Sequence, residues 1–295
     1  MQKSKGYTLA ILAVLFWSFN VIVAKYFANT FTPWQISFYR WFFASITLIP
    51  FTLGDIIKKK DVIIKNFNII FWLSITGIVL MNTFSYIAGD TISAVEMSLI
   101  GVMGPVFIII LSRIFYDIHI STKQIWGIII SFIGVITIVL HGKLLSNNFL
   151  FKIGDFWMLL LALSFGIYSV IMIKRPKEIS QTTLLSCIVL LGTAIILPFF
   201  LWDSFYHPVC DKWDMLSVGT LLYMGIFNSV LSYLFWNMSL DIIGGVKASI
   251  IYYLMPIFSS IEAYFFLGER IYSTQIYGGI LVLLGIFLTN EKKKM

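Results

Sequence analysis

Charged side chains are scarce in this sequence of 295 residues, of which only 12% are Asp, Glu, Lys or Arg. Ordinary globular chains contain about 25% of these residues. Apolar residues, by contrast, make up 59% of the chain, and the mean hydropathy is +0.91. One soluble core cannot bury so many apolar side chains, so a soluble enzyme is excluded and the apolar stretches are expected to face lipid. At about 20 residues per span, ten helices would use about two-thirds of the chain.

Cysteine and histidine are equally scarce, which bears on metal and enzyme chemistry. Cys187 lies in an apolar run and Cys210 in a polar loop, so the chain has neither a metal-ligand spacing nor a disulfide framework. The histidines His119, His141 and His207 lie in or near loops and far apart. Because metalloprotease and serine-hydrolase motifs are also missing, the sequence predicts no metal site, no bound cofactor and no enzymatic activity. An ion channel is disfavoured, since no filter-like loop or charged ring is present.

Ten apolar segments are long enough to be transmembrane helices. They lie at about 7–27, 34–53, 68–88, 92–115, 124–140, 155–173, 182–201, 215–240, 243–267 and 274–289. No small-residue cleavage site follows the first segment, so it is expected to be retained as a helix. When loops are assigned to alternate sides, fourteen of the 21 Lys and Arg residues fall on the side of both termini and five on the other. The positive-inside rule then places both termini in the cytoplasm, and this clustering argues against a nucleic-acid partner.

An internal repeat becomes visible when the chain is shifted by 151 residues. Residues 90–136 then align with residues 241–287 without a gap, and fifteen of the 47 positions are identical. Apolar composition does not explain matches such as Pro105 with Pro256. Both prolines are predicted to kink their helices, because proline removes a backbone hydrogen bond and clashes with the preceding turn.

The repeat divides the chain into residues 1–145 and residues 146–295, each with five predicted helices. Because five is odd, the second half is expected to enter the membrane from the opposite face, which makes the repeats inverted. The predicted fold is an all-α membrane protein of ten transmembrane helices in two inverted five-helix repeats. In transporters with this architecture the substrate site lies near the membrane midplane, between the halves.

Several short runs combine polar and aromatic residues with glycine. They are Trp17-Ser18-Phe19-Asn20, Ser229-x3-Tyr233-x2-Trp236-Asn237, Pro256 followed by Leu267-Gly268-Glu269, and Gln275-x2-Gly278. These runs resemble the EamA family of the drug/metabolite transporter superfamily, over nearly the whole chain. The resemblance implies a ten-helix, inverted-repeat carrier of small metabolites, commonly an exporter of amino acids or related compounds from a bacterial cytoplasm. The first half departs from the pattern, since Tyr116-Asp117-Ile118 stands where the second half has Leu267-Gly268-Glu269.

Polar side chains within the apolar segments are candidates for substrate binding, because placing them in a membrane is costly. The 151-residue shift lays Asn82 on Tyr233 and Tyr86 on Asn237, so each half presents one amide and one phenol. Their i, i+4 spacing places each pair on one helix face. There they either line a central cavity or hydrogen-bond neighbouring helices as packing contacts. The candidate substrate-binding residues are Trp17, Asn20, Asn82, Tyr86, Tyr168, Tyr233, Trp236, Asn237 and Lys247.

Arg40, Glu96 and Glu262 are the candidates for gating or coupling. We expect Lys247 to attract an anionic group of the solute from the cytoplasmic side, while Glu96 or Glu262 takes a proton or the solute amine. The alternative for Lys247 and Arg40 is that they snorkel to the lipid headgroups. Arg40 is equally expected to pair with Glu96 or Glu262 as an external latch. Coupling of transport to protons through Glu262 is therefore a hypothesis that we draw from the sequence.

The predicted function is a multi-pass carrier of the bacterial cytoplasmic membrane that moves small polar or amphipathic metabolites by alternating access. Export of amino acids or related compounds is the leading interpretation. An exchanger or importer of phosphorylated or nucleotide-linked metabolites is the alternative, although such cargo normally needs clustered Lys and Arg. The expected partners are a small-molecule metabolite and membrane lipids. The sequence does not indicate an oligomeric state.

Overall fold

The computed structural model describes residues 2–28, 30–117, 121–139, 152–208, 213–243 and 251–289. Within these residues the chain is helical and contains no β-strand. The predicted substrate-binding residue Lys247 lies outside the described residues.

The first half of the chain contains eight α-helices and one π-helix in its described part. They are α1 (Gln2–Phe27), α2 (Pro33–Lys58), α3 (Lys60–Lys65), α4 (Phe67–Ser74), π1 (Ile75–Leu80), α5 (Met81–Gly89), α6 (Ala94–Gly101), α7 (Gly104–Tyr116) and α8 (Thr122–Val139). The second half follows the same order of apolar helices. They are α9 (Ile153–Met172), α10 (Gln181–Tyr206), α11 (Met215–Tyr223), π2 (Met224–Leu231), α12 (Ser232–Ile243), α13 (Met255–Leu267) and α14 (Ser273–Thr289).

The outer surface of the helices is apolar. Phe51, Phe205 and Met215 are 81%, 81% and 89% exposed, and soluble monomers rarely present large apolar patches to water. In the described part of the chain, seven helical segments are long and apolar enough to cross a membrane, and α8, α13 and α14 are shorter apolar helices. The chain is therefore a multi-pass membrane protein, which confirms the predicted all-helical class. Ten crossings and cytoplasmic termini remain predictions.

The predicted kinks at the two matched prolines take the form of helix breaks. α6 ends at Gly101 and α7 begins at Gly104, so Pro105 lies in the first turn of α7. Pro256 has the same place in α13, which begins at Met255. A proline in the first helical turn removes no intrahelical hydrogen bond, because the N–H groups there have no partner in the helix. Each proline therefore starts a new helix and does not bend a continuous one.

The two π-helices occupy equivalent places in the two halves under the 151-residue shift. In a π-helix the backbone bonds run from i to i+5, which disturbs the regular pairing of nearby carbonyls. Side chains bond to these carbonyls: the Asn82 amide nitrogen donates to the Gly77 carbonyl oxygen at 3.0 Å, and Ser232 Oγ donates to the Phe227 carbonyl oxygen at 2.7 Å. π1 therefore fixes the orientation of the Asn82 side chain.

Glycines allow α8 and α14 to pack closely. A Cβ atom at Gly134 would lie 2.7 Å from the Gly278 carbonyl oxygen, and one at Gly278 would lie 2.8 Å from the Gly134 carbonyl oxygen. Ser131 Oγ donates to the Val282 carbonyl oxygen at 3.4 Å. Ser131 and Val282 are equivalent residues of the repeat, so a helix of one half contacts its own counterpart, as a two-fold relation between the halves would produce.

We expect Gly134→Ala to destabilise the protein. The new methyl group would meet the backbone of α14, so the helices must separate, and such overpacking costs about 1–3 kcal/mol. Gly54→Ala is the matched control, because a Cβ atom at Gly54 meets nothing within 4 Å and alanine favours a helix. Thermal unfolding in detergent measures both variants; an unchanged midpoint for Gly134→Ala would contradict the close packing.

Side-chain contacts identify the two faces of the helix assembly. On the face that we call the basic face, Thr183 Oγ1 donates to Asp55 Oδ2 at 3.3 Å. On the opposite face, Gln35 Nε2 donates to the His207 carbonyl oxygen at 2.7 Å. The basic face carries Lys58, Lys59, Lys60, Lys65, Lys123, Lys174, Arg175 and Lys177. It is the face that the positive-inside rule assigns to the cytoplasm.

Candidate functional site

A cavity of about 750 Å³ lies between the helices of the two halves. It extends from Arg40 within the helix assembly to Gln124, Arg175 and Gln181 at the basic face. Its walls are mostly apolar and aromatic. Among the described residues that line it, Arg40 and Arg175 are the charged ones and none is acidic. Such a cavity, apolar with a few polar groups, is typical of small-molecule sites.

Arg40 of α2 is buried, with 3% of its surface exposed, and its described partners are all neutral. Nε donates to Ser229 Oγ at 2.7 Å, and Nη1 lies 2.5 Å from Asn20 Oδ1, 2.8 Å from Asn82 Oδ1 and 2.9 Å from the Tyr86 hydroxyl. The other terminal nitrogen, Nη2, has no partner among the described residues. No described Asp or Glu forms an ion pair with Arg40.

A buried positive charge without a counter-charge carries a large desolvation cost, which hydrogen bonds to neutral groups offset only in part. A guanidinium presents a planar fork of donors that matches a carboxylate or phosphate in two parallel hydrogen bonds. Because Arg40 borders the cavity, an anionic group in the cavity would supply the counter-charge that the described protein residues do not provide.

An aromatic cluster, formed by Trp17, Tyr233, Trp236 and Tyr252, lines the same cavity. The Trp17 ring centroid lies 5.3 Å from that of Tyr233 and 5.4 Å from that of Trp236, and Trp236 lies 6.0 Å from Tyr252. Trp17 is three residues before Asn20 on α1, so the cluster begins one helical turn from a partner of Arg40. The cavity therefore places an aromatic surface next to a buried positive charge.

The comparisons with known proteins agree with this architecture. The profile of the EamA-like transporter family matches residues 4–140 and again residues 152–291. This chain belongs to the EamA-like transporter family. An uncharacterized transporter of Archaeoglobus fulgidus is 27% identical over 99% of both chains, and the uncharacterized transporter YyaM of Bacillus subtilis is 27% identical over 91% of this chain and 87% of its own length. A solved crystal structure with a TM-score of 0.62 covers 97% of this chain and 96% of its own at 13% identity, which shows the fold alone.

The predicted substrate-binding residues of this transporter are brought together, apart from Lys247, which lies outside the described residues. The residues that line the cavity are Trp17, Asn20, Asn82, Tyr168, Tyr233, Trp236 and Asn237. Tyr86 lies behind them, 1% exposed, and holds Arg40 and Asn20 through its hydroxyl. Their role in binding a solute remains a prediction.

The sequence did not point to Ser229, a partner of Arg40, or to several residues of the cavity wall, among them Tyr252 and Arg175. Ser229 precedes Tyr233 by four residues, so helical spacing alone could have assigned it to the same face. No helical spacing from a predicted site residue assigned Tyr252 or Arg175 to the cavity. Tyr252 joins the wall through a ring stacked on Phe165 with centroids 6.1 Å apart, and Arg175 enters through a loop.

The proposed external latch between Arg40 and a glutamate is not formed in this conformation. Glu96 lies in the first turn of α6, where it forms a capping box with Ser93 and an ion pair with Lys152 at 3.9 Å. Glu262 hydrogen-bonds to Ser18. The physical reason is local: the hydroxyl and backbone N–H of Ser93 lie three residues from Glu96 and hold its carboxylate at the helix start.

A different glutamate connects the two halves at the opposite face. The Glu269 carboxylate accepts from the backbone N–H groups of Ala94 at 3.0 Å and Val95 at 3.4 Å, at the N-terminus of α6. Gly268 ends α13 with φ +65°, a left-handed conformation that turns the chain toward α6. Gln275 Nε2 donates to Ser93 Oγ at 3.4 Å beside this contact. The second half thus holds the first half at the opposite face, where a carboxylate favourably meets a helix N-terminus.

We expect Glu269→Gln to weaken this contact and to make the opposite face more accessible, because an amide offers one acceptor oxygen without charge. A cysteine at Met97, which lines the cavity, reports access when Cys187 and Cys210 are replaced by serine. Labelling by a membrane-impermeant maleimide added at the opposite face should rise on the order of tenfold. Glu178→Gln at the basic face is the control. Equal labelling in both variants would show that Glu269 does not close this face.

Proposed function

We propose that this transporter exports small metabolites that carry a carboxylate, amino acids or related compounds above all, by alternating access. The observation that carries the proposal is the buried Arg40 guanidinium, which borders the cavity and has no carboxylate partner among the described residues. A solute carboxylate would form charge-assisted hydrogen bonds there. It would also neutralise the buried charge, so binding and desolvation favour the same ligand.

The aromatic cluster suits the rest of an amino acid. Aromatic faces attract an ammonium group through their quadrupole, and they accept apolar side chains equally well. The hydroxyls of Tyr168, Tyr233 and Tyr252 have no hydrogen-bond partner among the described residues, so they can bond to a polar solute. In this arrangement Arg40 fixes the carboxylate while Trp17 and its neighbours contact the remainder of the molecule.

The arrangement of the two faces supports export as the direction of transport. The cavity extends to the basic face, which the positive-inside rule places in the cytoplasm, and Glu269 helps to close the opposite face. Solute would then enter from the cytoplasm and leave when the two proposed inverted repeats, 1–145 and 146–295, rock about the cavity. The cytoplasmic membrane of a bacterium is the proposed location.

Phosphorylated or nucleotide-linked anions are the second candidate. The observation in their favour is that the charged residues lining the described cavity, Arg40 and Arg175, are both cationic. These residues lie at different depths, however, because Arg175 belongs to a loop of the basic face and Arg40 lies within α2. A phosphate group normally engages several cations together, so a solute with one anionic group fits better.

Counterflow in proteoliposomes, with a panel of labelled amino acids, tests the proposal. We expect saturable exchange of one or more amino acids by the unchanged protein. Arg40→Gln should reduce uptake at low solute concentration by at least about tenfold, the effect of losing one hydrogen-bonded charge. Uptake by Arg40→Lys should lie between that of wild type and that of Arg40→Gln, because lysine keeps the charge without the planar fork.

Lys58→Gln, at the end of the same helix, is the control and should transport normally. Wild-type uptake by Arg40→Gln would remove the carboxylate site from consideration. Thermal stabilisation by phosphate or nucleotide compounds, with no amino-acid exchange, would favour the second candidate.

A further inference from the structure

Glu262 is a half-buried acid that the proposed solute site does not use. It lies on α13, five residues before the last residue of that helix, Leu267. Its Oε1 atom is 2.9 Å from Ser18 Oγ on α1, and its Oε2 atom is buried without a hydrogen-bond partner among the described residues. The repeat places Leu111 at the equivalent position of the first half, so this acid belongs to one half only.

The hydrogen atoms around Ser18 can be counted. Ser18 Oγ is 2.7 Å from the Leu15 carbonyl oxygen and 2.9 Å from Glu262 Oε1. A serine hydroxyl has one hydrogen to donate. If Glu262 were a carboxylate, two acceptors would compete for this hydrogen and Oε2 would remain a buried anionic oxygen without a donor. If Glu262 is protonated, it donates to Ser18 Oγ while Ser18 donates to Leu15, and both contacts are satisfied.

The charged groups near Glu262 do not provide a counter-ion. The helices α1 and α6 pack against α13. Lys25 of α1 donates to the Gly89 carbonyl oxygen at 3.0 Å, and Glu96 of α6 is held by Ser93. Tyr223 of α11 is a further titratable side chain near Glu262, and a phenol provides no positive charge. Among the described residues, no Lys, Arg or His forms an ion pair with Glu262.

We propose that Glu262 is a proton-binding site, neutral in this conformation, and that it exchanges its proton with water during the transport cycle. Proton exchange during the transport cycle rests on the proposed function. Loss of the proton would remove the Glu262 donor, leave the Ser18 hydrogen shared between Leu15 and a carboxylate, and place a charge without a counter-ion between α13 and α1, which favours a rearrangement of this contact. Because Trp17 and Asn20 lie on α1 beside Ser18, a shift of this helix would reach the cavity directly.

Infrared spectroscopy tests the protonation without a solute. The difference spectrum between wild type and Glu262→Gln at neutral pH should show the carbonyl stretch of a protonated carboxylic acid, shifted in deuterium oxide. Glu178→Gln, which changes an exposed acid, is the control and should show no protonated band. A carboxylate band in place of the acid band for Glu262 would overturn the assignment.

Transport then tests the coupling. With the amino acid that wild type exchanges fastest, an imposed pH gradient should change wild-type net flux. Glu262→Gln should keep counterflow at equal pH, because glutamine resembles the protonated acid, but should lose the response to the gradient. A gradient response that Glu262→Gln retains, or that wild type lacks, would overturn the coupling. Absence of amino-acid exchange in wild type would instead contradict the proposed function and leave the infrared result standing.

Discussion

The positive charge of Arg40, buried among neutral partners, is the constraint on which the centre of this transporter depends. Two amides, a phenol and a serine hydroxyl from the three segments α1, α5 and π2 converge on one guanidinium. None of them neutralises it, so the charge remains available to a ligand. π1 contributes by bonding the Asn82 amide nitrogen to the Gly77 carbonyl, which turns the amide oxygen toward Arg40. The π-helix π1 and the buried charge of Arg40 are therefore linked through the Asn82 side chain.

The duplicated halves share their backbone plan but not their charges. Both have a π-helix, a break before a proline and a helix that ends in a left-handed residue, Asp117 in one half and Gly268 in the other. Two acids of the second half have no counterpart in the first, because Ile118 and Leu111 occupy the positions equivalent to Glu269 and Glu262. A backbone repeat permits two equivalent conformations, whereas unequal side chains make their energies differ. The described conformation is the one that satisfies Glu269.

Much of this architecture was predictable from the sequence because it rests on local or periodic signals. Apolar length gave the helices, the repeat gave matched prolines, and i, i+4 spacing assigned Asn82 and Tyr86 to one face. The place of Arg40 was not predictable, since seven residues into a helix a long side chain can also reach the headgroups. Only the packing of α5 and π2 against α2, together with the Asn20 amide of α1, distinguishes these outcomes. Glu96 is the opposite case, because the Ser-x-x-Glu pattern of a capping box was present in the sequence.

The buried guanidinium also bears on how an empty carrier moves. In the proposed cycle the cavity must close toward the cytoplasm before the opposite face opens. Closing it over Arg40 without an anion would remove water from an unpaired charge, whereas a bound carboxylate would reduce that cost. Occlusion of the loaded carrier is then easier than occlusion of the empty one, so exchange of solute should outpace net flux. A proton on Glu262 acts at a separate contact and can bias the same transition without entering the solute site.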